Sequence, residues 1–195
     1  MLKVDVGGEF LCASMDDTKE GYMSLDRELS GMAVECMPQL KEFIDSTGRI
    51  TVQVDKAVYG LIQSTKLWYN ELTKTLMANG FKIVELEECV LVKALEGGRH
   101  LVILLYVDDL LVMSKSKADR HWVKDLLEQT YGKVTYDKGS SLPYLGMTMI
   151  KTKNGFEVCM KAYIEDVLKL YDEKLRECMM PTTHRLFTID EGSPS

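Results

Sequence analysis

Residues 101–113 read Leu-Val-Ile-Leu-Leu-Tyr-Val-Asp-Asp-Leu-Leu-Val-Met, and their only charged members are the adjacent Asp108 and Asp109. A run that is apolar at nearly every position, not at alternate ones, belongs to strands covered on both faces. It falls short of the roughly 18 apolar residues of a membrane helix, and two central carboxylates are costly in lipid. The segment is therefore core, with two strands meeting at the acids. A plain hairpin would prefer Asn-Gly or Asp-Gly there, because the favoured turn needs positive φ at both central positions. Two neighbouring carboxylates also repel each other unless a cation neutralises them. A hard divalent ion such as magnesium, which takes carboxylate, water and phosphate oxygens, is the natural missing partner. An acidic surface turn is the competing reading of a bare Asp-Asp pair.

The surrounding sequence supplies a frame for that hairpin. Leu2, Val4 and Val6 alternate with Lys3 and Asp5, which predicts a strand carrying Asp5 on the face opposite the apolar residues. Trp68, Leu72 and Leu76 recur every four residues before an Asn79–Gly80 stop. Glu96-Gly97-Gly98-Arg99 joins the apolar runs 89–95 and 100–107 as a hairpin. Ser116 and Asp119 resemble a capping box, followed by a helical stripe of Val123, Leu126, Leu127 and Tyr131 that ends at Gly132. Asn154–Gly155 predicts a second hairpin between 145–151 and 156–160. A last amphipathic helix is expected over 162–178, with Ile164, Val167, Leu168 and Tyr171 on one side. In 14–49, Met32, Cys36, Leu40 and Phe43 suggest a helix that Pro38 interrupts. Strand, helix, paired strands, helix, strand is an α+β pattern of the split ferredoxin-like kind, an antiparallel sheet with helices on one face.

Other features mainly exclude. Five cysteines, widely spaced and without a C-x-x-C pair, argue against a disulfide framework or a zinc site. His100, His121 and His184 have no metal-ligand spacing. Residues 1–20 contain Lys3, Asp5 and Glu9 and no long apolar run, so no signal peptide and no membrane partner are expected. The net charge of −6 does not suggest nucleic acid, whose phosphates call for Lys and Arg. Its distribution softens the objection: residues 1–60 carry 6 basic and 11 acidic side chains, 61–120 carry 8 and 8, and 121–195 carry 10 and 11. Trp68 and Trp122 lie on helical stretches where packing is a better use than base stacking.

Five motifs, in order, resemble the reverse transcriptases of copia-type LTR retrotransposons. Asp5-Val-Gly-Gly-Glu-Phe10-Leu11 is similar to the first catalytic segment, an Asp followed five positions later by an aromatic. Lys56-Ala-Val-Tyr59-Gly60-Leu-Ile-Gln63-Ser64-Thr-Lys-Leu-Trp68-Tyr69 matches a stretch typical of the group, and Tyr106-Val107-Asp108-Asp109 resembles the catalytic hairpin. Tyr144-Leu145-Gly146-Met147 resembles the primer grip, and Ala162-Tyr163-Ile164 through Met180-Pro181-Thr182 the start of the thumb.

The resemblance implies an RNA-directed DNA polymerase palm over 1–160, with a remnant of fingers at about 14–56 and the start of the thumb over 161–195. Asp5, Asp108 and Asp109, with the Val6 backbone, would hold two magnesium ions about 4 Å apart, manganese being a substitute. Three acids suffice because phosphoryl transfer asks mainly for positioning and charge neutralisation. Phe10 would pack under the deoxyribose, with Tyr59, Gly60, Gln63 and Ser64 lining the nucleotide side. Tyr144, Leu145, Gly146 and Met147 would hold the primer end. Partners would be an RNA or DNA template with its primer, deoxynucleoside triphosphates and other segments of a Pol polyprotein, in a cytoplasmic virus-like particle. The chain begins four residues before Asp5, so a fragment without the preceding fingers is expected. Glu9 stands where the family has a small residue, Thr65 where it has Pro, and Lys161 where it has Gln. A non-catalytic relic or co-opted palm, acting in nucleic-acid or protein interaction, is the alternative. A calcium- or magnesium-binding α+β module ranks last, because it leaves the Tyr59–Trp68 stretch unexplained.

Overall fold

The structure is a computed structural model and describes residues 1–15 and 21–170. In chain order the elements are β1 (Leu2–Val6), the short α1 (Glu9–Cys12), β2 (Tyr22–Leu25), α2 (Arg27–Cys36), a 3-10 turn (Pro38–Phe43), β3 (Ile50–Gln53) and α3 (Ser64–Ala78). Then come β4 (Lys82–Val84), β5 (Glu87–Leu95), β6 (Arg99–Tyr106), β7 (Asp109–Met113), α4 (Lys117–Tyr131) and β8 (Val134–Lys138). The described chain closes with β9 (Ser141–Tyr144), β10 (Met147–Lys151), β11 (Phe156–Cys159) and α5 (Lys161–Lys169). The rest of the helix expected to reach residue 178 lies outside the described residues.

The main sheet is antiparallel and six-stranded, in the order β4-β5-β6-β7-β1-β8. Strand alternation sends Leu2, Val4 and Val6 of β1, with Leu110 and Val112 of β7, into one core against Trp68, Leu72 and Leu76 of α3 and Val123 and Leu127 of α4. The intervening Leu111 packs on the other side with Leu142, Tyr144 and Met149 from the three-stranded sheet β11-β10-β9. This two-sided cover explains the unbroken apolar run: helices bury one face of β7 and a second sheet buries the other. The expected arrangement had helices on one face and did not foresee the small sheet on the other.

Local chemistry sets the ends of these elements. α3 stops in a Schellman arrangement: the Gly80 N–H donates to the Met77 carbonyl at 3.0 Å and the Phe81 N–H to the Leu76 carbonyl at 3.2 Å. Gly80 sits at φ 85, which a side chain would resist. α2 ends at Cys36 and the chain tightens into the 3-10 turn at Pro38, so the expected interruption is present. Met32 and Phe43 of this region are exposed and build no core.

Two expected details are corrected. Ser116 precedes α4 but makes no side-chain cap; the Ser114 hydroxyl donates to the Asp119 carboxylate at 2.8 Å, and Arg99 pairs with the same carboxylate at 2.7 Å. With the Ser116 N–H donating to the Ser114 hydroxyl at 3.2 Å and Asp119 held by Ser114 and Arg99, the reciprocal capping box does not form. The second hairpin does pair Phe156–Cys159 with β10, but its turn is centred one residue earlier than Asn154–Gly155. Lys151 opposes Phe156, and the Thr152 N–H donates to the Gly155 carbonyl at 2.9 Å. Neither Asn154 nor Gly155 has positive φ, so the turn lacks the backbone that Asn-Gly was expected to supply.

Candidate functional site

The antiparallel register of β1 and β7 sets Asp5 directly opposite Asp109. Both side chains alternate away from the helix-packed core, on the face shared with Lys3, and both are partly exposed. Tyr106 opposes Asp109 across β6 and β7, so Val107 and Asp108 are the two central turn residues. The sequence suggested that Asp108–Asp109 was the turn. The one-residue difference moves Asp109 onto the strand and leaves Asp108 at the tip, beside it.

That turn is strained and held. Val107 has φ 55, a region costly for a β-branched side chain, and Asp108 does not share the positive φ. Positive φ at the first central position alone is the type II′ pattern, where glycine is usual. The Trp68 indole N–H, from the fully buried face of α3, donates to the Val107 carbonyl at 2.8 Å. It thereby fixes the peptide that carries Asp108. Trp68 was expected only to pack, and this polar role was missed.

Each carboxylate of the opposed pair has a partner. The Thr135 hydroxyl on β8 donates to Asp5 Oδ2 at 3.1 Å, and the Lys3 ammonium lies 2.9 Å from Asp109 Oδ1. Among the described residues no three His, Cys, Asp or Glu side chains are gathered closely enough to hold an ion as they stand. The donors are nonetheless all oxygen, and a cation, Lys3, already neutralises one of them. That chemistry fits a hard divalent ion.

The Gly8–Glu9 turn into α1 brings a further acid close. Glu9 is only 3% exposed, and the Tyr59 hydroxyl donates to its carboxylate, 2.8 Å from each oxygen. This bond, burial, and the charges of Glu9, Asp108 and Asp5 push the Tyr59 phenol up to about 12. The hydrogen bond to Glu9 is the largest of these causes, and Asp108 and Asp5 are the smallest. The Tyr59 ring meets Phe10 edge-on, with centroids 4.7 Å apart. Phe10 is buried beneath it, so Tyr59 forms the accessible surface there.

Other expected residues are divided. Gly60, at φ 93, and Gln63 are exposed beyond Tyr59. Ser64 is buried, and its hydroxyl donates to the Val58 carbonyl at 2.6 Å, so it secures the start of α3 and does not face the site. Leu145 (φ 51) and Gly146 (φ 74) are the centre of a two-residue turn between Tyr144 and Met147, the type I′ pattern. Tyr144 is buried, and its hydroxyl donates to the Leu104 carbonyl at 3.2 Å; burial, helped by the charge of Asp109, pushes it up to about 12. It anchors this turn to β6.

The chain matches the family model described as "Reverse transcriptase (RNA-dependent DNA polymerase)" over residues 19–184. The match spans Tyr59–Trp68, the Asp108–Asp109 turn and Tyr144–Met147, and begins beyond Asp5 and Phe10. The chain is 25% identical over 174 residues to the "Retrovirus-related Pol polyprotein from transposon TNT 1-94" of Nicotiana tabacum, covering 84% of this chain and 13% of that protein. It is 30% identical over 168 residues to the corresponding polyprotein from transposon RE1 of Arabidopsis thaliana, covering 85% and 10%. The RE2 polyprotein of the same plant is 27% identical over 168 residues, with the same coverage. The chain therefore spans only about an eighth or less of the length of these relatives.

Proposed function

This chain belongs to the reverse transcriptase (RNA-dependent DNA polymerase) family, and we propose that it is the polymerase palm of a copia-type transposon Pol polyprotein, with Asp5, Asp108 and Asp109 as its ion-holding carboxylates. The observation that carries the site is the register of β1 and β7, which opposes Asp5 to Asp109 with Asp108 in the adjoining turn. The run β1-α3-β6-β7-α4-β8 and the spatial order β6-β7-β1-β8 suit a split β-α-β-β-α-β palm, extended at one edge by β4 and β5.

Magnesium ions, two by family resemblance, would lower the charge barrier between a primer 3′-hydroxyl and a nucleoside triphosphate. Asp5 and Asp108 would be their main ligands, with Asp109 and the Val6 carbonyl available beside them. The chain's own residues position. Trp68 holds the turn, Thr135 orients Asp5, and the Leu145–Gly146 turn would hold the primer end. Tyr59, over Phe10, would meet the sugar of the incoming deoxynucleotide, with Gly60 and Gln63 beyond. An RNA template with its primer and the neighbouring segments of a Pol polyprotein would be the partners.

The test is primer extension on an RNA template with magnesium, comparing the protein with Asp108→Asn. Extension that falls by at least about a hundredfold in the variant, the scale of a lost preorganised charge contact, supports the proposal. Extension that survives the change refutes the assignment of Asp108. Absence of extension from the folded parent protein would favour a non-catalytic palm.

A further inference from the structure

Lys3 is the strand neighbour of Asp5 and shares its face, because side chains two apart on β1 point the same way. Its ammonium does not pair with Asp5. It reaches diagonally to Asp109 on β7, at 2.9 Å, and both side chains are about a quarter exposed, at 23% and 24%. Across the other edge of β1 the register sets Lys3 opposite Asp137 of β8. Lys3 thus stands among acids on this face of the sheet and pairs with the one that also borders the Asp108 turn.

We propose that Lys3 is a built-in competitor for the divalent ions, a positioning residue that withdraws Asp109 from the ligand set and leaves Asp5 and Asp108 as the principal ligands. The inference rests on the carboxylate centre proposed above and deepens it. The physical basis is simple. An ammonium at hydrogen-bonding distance from Asp109 Oδ1 competes for that oxygen and draws charge from the carboxylate, which weakens Asp109 as a metal ligand. The ammonium also repels a divalent charge brought to Asp5 or Asp108 nearby. Lys3 therefore lowers ion affinity while neutralising Asp109 in the metal-free hairpin.

The test is direct Mn2+ binding, read by electron paramagnetic resonance of the free ion or by calorimetry, on the whole protein without nucleic acid. Lys3→Met keeps the aliphatic stem and removes the charge, and Lys3→Gln is a second neutral variant. Lys3→Arg keeps the pair to Asp109. Both neutral variants are expected to bind Mn2+ about fivefold more tightly, the change that loss of a partly exposed ion pair brings. Lys3→Arg is expected to bind like the parent. A double-mutant cycle isolates the mechanism. Asp109→Asn changes affinity less than about twofold when Lys3 is present, and cancels most of the gain when Lys3 is Met. Equal affinity in the neutral variants, with Asp108→Asn still abolishing binding, would overturn the role of Lys3 and leave the carboxylate centre standing. Mn2+ binding insensitive to both Asp5→Asn and Asp108→Asn would remove the centre itself and the role of Lys3 with it.

Discussion

Replacing Trp68 by Phe is the sharpest probe of how the fold holds its turn. The indole is fully buried and donates at 2.8 Å to the carbonyl of Val107, which sits at φ 55. Phe keeps much of the apolar volume and loses the donor. An acceptor left unpaired in a buried place costs about 1–3 kcal/mol, and the smaller ring adds on the order of 1 kcal/mol for imperfect filling. The strain at Val107, itself of order 1–3 kcal/mol, is then no longer opposed, so the turn is free to relax toward ordinary φ. A total loss of about 2–4 kcal/mol is expected, a large part of the roughly 5–15 kcal/mol that holds a typical domain together. For a chain of this length it lowers Tm by roughly 5–15 °C. Urea unfolding followed by far-ultraviolet circular dichroism measures the stability, and primer extension measures the consequence at Asp108. Trp68→Phe combined with Val107→Gly should recover part of the stability and none of the activity, because glycine removes the strain without restoring the hold. A Trp68→Phe protein as stable as the parent would show that the indole does not hold the Val107 turn.

Leu145→Asn should raise stability by about 0.5–1 kcal/mol, since Leu145 has φ 51 and Asn tolerates that region better; a lower urea midpoint would contradict the turn assignment. Glu9→Gln should let the Tyr59 phenol fall from about 12 toward its ordinary 10, because the hydrogen bond to Glu9 is the largest cause of the rise; ultraviolet titration of the phenolate shows this, and an unchanged titration would deny the contact. Tyr131 and Tyr144 are each pushed up to about 12, chiefly by burial, from an ordinary 10.0. The folded state holds those protons more tightly than the unfolded one, so stability is intact below pH 10 and declines as pH rises from about 10 to 12. Tyr144→Phe should flatten part of that decline in alkaline unfolding curves; a curve identical to the parent's would count against it.

Much of the frame could be read from residue pattern, because each signal was local. The alternation of Leu2, Val4 and Val6, the four-residue spacing of Trp68, Leu72 and Leu76, and the apolar run through 101–113 all became the core they suggested. The turn was misplaced by one residue because local preference disfavours Val at positive φ, and the hold that makes it possible comes from Trp68, 39 positions away. Contacts of that kind leave no local trace. The Glu9–Tyr59 bond joins residues 50 positions apart, and Tyr144 spends its hydroxyl on a backbone carbonyl 40 positions away. Lys3 was the exception. Its place two residues from Asp5 on a strand already put it on the acidic face, and that signal could have been used.

Whether Asp5 and the Asp108–Asp109 segment form one ion-holding centre, with Asp5 and Asp108 as its principal ligands, can be tested by letting bound iron mark its own position. Fe2+ exchanged into the protein, with ascorbate and peroxide, generates hydroxyl radicals that cut the backbone beside the bound ion. Cuts are expected to cluster near residue 5 and near residues 107–109, suppressed by excess magnesium and lost in Asp108→Asn. Cuts at only one of these two places, or a pattern that magnesium and Asp108→Asn leave unchanged, would contradict a single centre.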